Sequence, residues 1–165
     1  MNNTLDILKQ AILLERRGQV FYETVAKQTT NPNVQKIFEV MTEEEKMHEA
    51  YLASQYKSYQ KSGKFEVEDL PDEDKDSITN MVLTEDMKNS IEAASYEASA
   101  ISAAIDMETK AIEVYANQAE QATDPNEKKL FQWLSDWEKT HHKILHDLDE
   151  DLKERVWQDN RFWPF

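Results

Sequence analysis

Residues 11–52 read AILLERRGQVFYETVAKQTTNPNVQKIFEVMTEEEKMHEAYL, and residues 104–145 read AIDMETKAIEVYANQAEQATDPNEKKLFQWLSDWEKTHHKIL. The second stretch follows the first at a constant offset of 93 without a gap, and 15 of the 42 positions are identical. Unrelated segments of mixed composition would share on the order of two or three. The chain is therefore read as an internal duplication. Among the identical pairs are Glu15/Glu108, Tyr22/Tyr115, Pro32/Pro125, Glu45/Glu138 and His48/His141.

Each copy reads as two helices around a short connection, Asn31-Pro32-Asn33 in the first and Asp124-Pro125-Asn126 in the second. Asn or Asp as N-cap, followed by Pro at the first helical position, is a start signal for the second helix of each pair. Boundary signals predict helices over about 4–29, 32–60, 85–122 and 125–155. The stretch 61–84 holds Gly63, Pro71 and the run EVEDLPDEDKD, and has no sustained hydrophobic period. It reads as a crossover between two helical hairpins, 4–60 and 85–155, with an aromatic tail over 156–165. Two hairpins joined by a long crossover make an all-α four-helix bundle, here a single domain over 1–165.

Spacings of three and four residues pick out the face that each helix turns inward. The first carries Leu5, Leu8, Ile12, Glu15, Gln19, Tyr22 and Ala26, and the second Phe38, Met41, Glu45, His48 and Leu52. The third carries Ala98, Ile101, Ile105, Glu108, Ile112, Tyr115 and Ala119, and the fourth Phe131, Leu134, Glu138, His141, Leu145, Leu148 and Leu152. The polar interruptions fall in phase, so four carboxylates and two imidazoles point into a core. Burying them is costly unless something compensates their charge, and two divalent cations would do so. A Glu-x-x-His pair puts both side chains on one helical face, where Glu45/His48 and Glu138/His141 can each grip a metal. Glu15 and Glu108 complete the set, with Glu45 and Glu108, or Glu15 and Glu138, as alternative bridging pairs. One Glu from each of two helices and Glu-x-x-His from the other two is the known pattern of di-iron and di-manganese carboxylate bundles. The competing reading is a degenerate copy with a protonated, hydrogen-bonded polar core. By the same reasoning, leucine at position 108 is expected to stabilise the metal-free protein.

Composition narrows the partners. With 33 Asp+Glu against 19 Lys+Arg the formal net charge is −14, which repels a phosphate backbone and argues against nucleic acid. The absence of cysteine leaves only nitrogen and oxygen ligands and excludes thiolate sites and disulfides. The N-terminal stretch MNNTLDILKQAILLERRG is broken by Asp6, Lys9, Gln10 and Glu15, so it offers neither a signal-peptide core nor a membrane span, and a cytoplasmic location is expected.

The combination Glu15…Tyr22, Glu45-Lys46-Met47-His48, Glu108…Tyr115 and Glu138-Lys139-Thr140-His141 resembles the ferritin-like superfamily, specifically its rubrerythrin and bacterioferritin branch. The resemblance implies a ferritin-like bundle with two iron ions reacting with hydrogen peroxide or dioxygen, and a homodimer. Manganese or zinc would also suit Glu and His ligands. Rubrerythrins usually add a cysteine-ligated rubredoxin domain. A cysteine-free chain has none, so a separate electron-donor protein is expected. Bacterioferritin binds haem through a Met just after the first Glu of this motif; Lys46 stands there, so haem is not expected. Where rubrerythrin has an extra Glu that trades places with a His, this chain has Ala111, whose repeat partner is Gly18. The functional reading is a rubrerythrin-like peroxidase or oxidase. A ferroxidase or iron-storage module, and a metal-free helical interaction protein, are the alternatives.

Tyr22 and Tyr115 lie two turns beyond Glu15 and Glu108 and are expected to fill the core while bonding a ligand or its neighbour. Gly18 costs about 1 kcal/mol in a helix relative to Ala, and close packing is the expected reason for it. His142 and His146 are out of phase and read as surface residues. The acidic run reads as a solvated loop, and the tail WQDNRFWPF as a segment that docks on the bundle or on a partner subunit.

Overall fold

The structure, a computed structural model, describes residues 3–72, 77–93 and 95–158. Four long helices carry the fold: α1 (Asn3–Gln28), α2 (Pro32–Ser62), α4 (Tyr96–Gln121) and α5 (Pro125–Gln158), with a short α3 (Glu85–Asn89) before α4. The described residues contain no strand. The fold is the expected all-α ferritin-like bundle, α1 packing antiparallel to α2 and α4 to α5.

The connections inside the hairpins are built as the sequence suggests. Asn31 accepts from the backbone N–H of Asn33 at 2.9 Å and of Val34 at 3.2 Å, with Pro32 opening α2. Asp124 does the same for Asn126 at 2.8 Å and Glu127 at 3.4 Å at the start of α5. At the far end of α2, Gly63 takes a left-handed conformation (φ 69°) and returns its N–H to Tyr59 at 2.8 Å, a position where a Cβ would be strained.

The expected third helix over 85–122 is not continuous. It breaks after Asn89, so the crossover runs on to Ser95, where the Ser95 hydroxyl caps α4 by accepting from Ala98 N–H at 3.2 Å. Tertiary contacts override helix propensity here. Asn31 donates its amide to both the carbonyl and the hydroxyl of Ser90 at 3.0 Å, and Ile91 is buried in the core. The crossover is also less solvated than its charge suggests, because Phe65, Ser77 and Ile78 are buried. Residues 73–76 of the acidic run, and the tail beyond Gln158, lie outside the described residues.

The core divides into two apolar clusters. One gathers Tyr22, Val25, Phe38, Met41, Ile101 and Leu145 with Ile78 from the crossover. The other gathers Leu8, Ala11, Leu52, Tyr115, Phe131 and Leu134 with Phe65. Between them, halfway along all four long helices, lies the polar layer. No helix among the described residues is long and apolar enough to cross a membrane.

Candidate metal centre

All six expected residues converge in this layer, and none is more than 4% exposed: Glu15 on α1, Glu45 and His48 on α2, Glu108 on α4, Glu138 and His141 on α5. They form two overlapping sets, Glu15, Glu45, His48 and Glu138, and Glu45, Glu108, Glu138 and His141. Within each set the ligand atoms lie within 4.8 Å of one another. The residues common to both are Glu45 and Glu138. Neither pairing left open by the sequence describes this, because each Glu-x-x-His motif contributes one shared carboxylate while Glu15 and Glu108 sit at the two ends. Which helices face each other diagonally is a property of the bundle's packing, which repeat spacing does not encode.

Both histidines present Nδ1 to the layer. His48 Nδ1 lies 2.9 Å from Glu138 and 3.2 Å from Glu15, and His141 Nδ1 lies 3.1 Å from Glu138, 3.2 Å from Glu45 and 3.3 Å from Glu108. Most of these contacts are close without being aligned as hydrogen bonds. Both Glu138 oxygens and His141 Nδ1 are buried with no hydrogen-bond partner among the described residues. Leaving such atoms unsatisfied is expensive, and lone pairs converging on shared points suit a divalent cation.

Two tyrosines brace the ends. The Tyr22 hydroxyl on α1 donates to Glu108 on α4, and the Tyr115 hydroxyl on α4 donates to Glu15 on α1. Each expected helper therefore serves the carboxylate of the opposite helix. Gly18 leaves space for Glu45: a Cβ there would lie 3.4 Å from the Glu45 carboxylate carbon. His142 is half-buried and His146 exposed, and neither belongs to the sets.

One further residue that bears on this layer is not marked by the repeat. Glu44 is only 8% exposed and accepts from His141 Nε2 at 2.6 Å, from the Trp137 indole N–H at 3.0 Å and from the backbone N–H of Ile78 at 2.9 Å. A carboxylate on the far ring nitrogen fixes the tautomer that turns Nδ1 toward a metal and makes it more basic. Glu44 sits inside the run Glu43-Glu44-Glu45, which reads as a solvated stretch. The available signal was its spacing of three from Met41 and four from His48, which keeps it near the inward face.

The electrostatics couple protons to cations. Burial pushes Glu45 well above the usual carboxylate range, and the charges of Glu138 and Glu15 add to this. Burial and Glu138 raise Glu108 to about 8. Burial disfavours the imidazolium, yet Glu138 and Glu15 raise His48 to about 9, and Glu108, Glu138 and Glu44 raise His141 well above its usual value. Glu138 is held well below the carboxylate range by the two histidines despite its burial. Without metal the layer neutralises itself by holding protons that cations would displace.

A cavity of about 150 Å³ reaches this layer between α1 and α4, lined by Leu14, Gly18, Tyr22, Met107 and Ala111 among others, with Glu15, Glu45, Glu108 and Glu138 contributing to its wall. At roughly 30 Å³ per water it admits a few water-sized molecules. Its lining is itself duplicated, since Leu14/Met107, Arg17/Lys110 and Gly18/Ala111 are each 93 residues apart.

Searches of curated proteins and of solved structures gave no match. The family model for rubrerythrin matches residues 6–149, which takes in most of α1, all of α2 and α4, most of α5 and every residue of the buried layer. By that match, and by a bundle whose duplicated hairpins enclose the Glu/His cluster able to hold metal, the chain belongs to the rubrerythrin family.

Proposed function

We propose that the protein is a di-iron oxidoreductase that reduces hydrogen peroxide in preference to dioxygen. The observation that carries the two-metal reading is the pair of overlapping four-residue sets sharing Glu45 and Glu138, reached by a cavity sized for a small oxidant, and the preference for peroxide rests on membership of the rubrerythrin family. Glu45 and Glu138, common to both sets, would serve both ions. Glu15 with His48 would complete one ion's ligands, and Glu108 with His141 the other's. When bound, two ferrous ions supply the two electrons that convert one peroxide and two protons into two waters.

The chain's own residues supply orientation, access and neutralisation. Tyr22 and Tyr115 fix the rotamers of Glu108 and Glu15 by hydrogen bonds from opposite helices. Glu44 holds the His141 ring from behind. Gly18 and Ala111 keep the approach open, and a neutral oxidant is not repelled by a surface of net charge −14. Re-reduction would fall to a donor centre outside these 165 residues, which contain no cysteine to hold an iron–sulfur or rubredoxin-type centre.

The experiment is anaerobic loading with Fe²⁺ followed by stopped-flow mixing with peroxide or with dioxygen. Faster oxidation by peroxide is expected. Equal or reversed rate constants would favour the ferroxidase or storage reading instead. Protein that takes up no metal would leave only the metal-free interaction module.

A further inference from the structure

The repeat offset that makes the six ligands symmetric fails at the residue behind each histidine. Glu44 and Trp137 occupy equivalent positions, 93 residues apart. Behind His141 stands the Glu44 carboxylate, 2.6 Å from Nε2 and locked by Trp137 and by the Ile78 backbone. Around His48 stand indole rings, Trp133 at 5.2 Å and Trp137 at 5.5 Å between ring centroids, each nearly perpendicular to the imidazole. His48 Nε2 is buried with no hydrogen-bond partner among the described residues. The second indole of this wall is also specific to one copy, since the repeat position of Trp133 is Val40.

An outer carboxylate makes a ligating imidazole a better donor and holds its ring in place, and losing such a partner typically costs about 10–100-fold in metal affinity. An indole has no acceptor oxygen and no negative charge, so it supplies no equivalent partner. Resting on the di-metal reading above, we propose that the two halves of the centre are unequal: the half formed by Glu45, Glu108, Glu138 and His141 fills first and holds its ion tightly, whereas the half formed by Glu15, Glu45, His48 and Glu138 fills second and exchanges its ion readily. Glu44 is the positioning residue that sets this order. Trp137 acts twice, by donating to Glu44 and by denying His48 an equivalent partner. The second half is thus the position at which a different divalent ion would be accepted.

Repulsion between two neighbouring cations splits any such titration into two steps, so the deciding readout is where the first ion sits. Crystals of the full chain equilibrated with one equivalent of Co²⁺, an oxygen-stable probe, would locate it by anomalous scattering. The expected result is a single peak among Glu108, His141 and the shared carboxylates. A peak beside His48, or equal occupancy of both halves, would overturn the proposal while leaving the di-metal reading intact. Absence of any bound Co²⁺ at saturating concentration would instead overturn the di-metal reading, and this inference with it.

Calorimetric titration of variants gives a second arm. Glu44→Gln is expected to weaken the first Co²⁺ step by about 10-fold or more and the second step little. Should that variant misfold by circular dichroism, Trp137→Phe keeps an aromatic ring beside His48 while removing the indole donor to Glu44. It is expected to weaken the first step by a smaller factor in the same direction. An unchanged first step in a folded variant of either kind would count against Glu44 as the residue that sets the order.

Discussion

Tyr22 and Glu108 are joined across the bundle, the phenol on α1 donating to the carboxylate on α4 in a layer where both groups are fully buried. This changes what a leucine at position 108 does. From the helix seam alone, Glu108→Leu is expected to stabilise the metal-free protein by removing a desolvated carboxylate. The structure shows that it also orphans a buried hydroxyl, at about 1–3 kcal/mol, and risks overpacking at about 1–3 kcal/mol more. The single variant is therefore expected to melt at or below the wild type without metal. The double variant Tyr22→Phe/Glu108→Leu is expected to recover part of that loss. Thermal melts of the four species of this cycle check it; a double variant less stable than Glu108→Leu alone would show that the hydroxyl finds another partner.

The duplicated half of this layer was readable in the sequence and the unduplicated half was not. Glu15, Glu45, His48 and their copies stood out because each interrupts an apolar seam twice at one offset. The same repetition located both hairpins and their Asn31 and Asp124 caps. Glu44 has Trp137 as its counterpart, so comparing the copies hid it rather than exposing it. The shared roles of Glu45 and Glu138 depend on which helices face each other across the bundle. The break at Ser90–Ser95 was lost among Ala, Ser and Glu because its cause, Asn31 from the first hairpin, is remote in sequence.

Metal-free stability is expected to fall as pH rises. His48 stands at about 9 in the folded chain against an ordinary 6.5, so its contribution is complete below about 6.5 and is lost as pH rises through 9. Glu108, raised to about 8 from 4.5, acts in the same sense, its contribution fading between those values. Glu138, held low, works in the opposite direction, and only where acid protonates it. The melting midpoint of the metal-free protein should therefore decline between pH 6 and 9. The increment given by saturating metal should grow across the same window, because fewer protons must be displaced. A metal-free midpoint that rises toward pH 9 would contradict the charge arrangement described.

Gly18→Ala separates helix propensity from clearance. Alanine adds about 1 kcal/mol of intrinsic helix stability, and its Cβ would meet the Glu45 carboxylate at 3.4 Å, at the edge of ordinary contact. The variant is expected to be as stable as the wild type or up to about 1 kcal/mol more so, with slower oxidation of the reduced protein because the cavity narrows. Denaturant melts and stopped-flow rates check the two halves. A loss of more than about 1 kcal/mol would mean that Glu45 cannot give way.

Ala111→Leu tests the cavity from the α4 side. Ala111 is 7% exposed and lines the approach without belonging to either ligand set. The larger side chain is expected to leave metal stoichiometry unchanged and to slow oxidation by peroxide several-fold. An unchanged rate with full metal occupancy would place the oxidant's route elsewhere.

Whether the buried Glu/His layer is a two-metal centre is tested most directly by anaerobic equilibrium titration with Fe²⁺, read as bound iron per chain. Saturation at two ions per chain is expected, falling when Glu45→Ala or Glu138→Ala removes a carboxylate common to both sets. Saturation at one ion per chain, or uptake unaffected by loss of these carboxylates, would contradict the account.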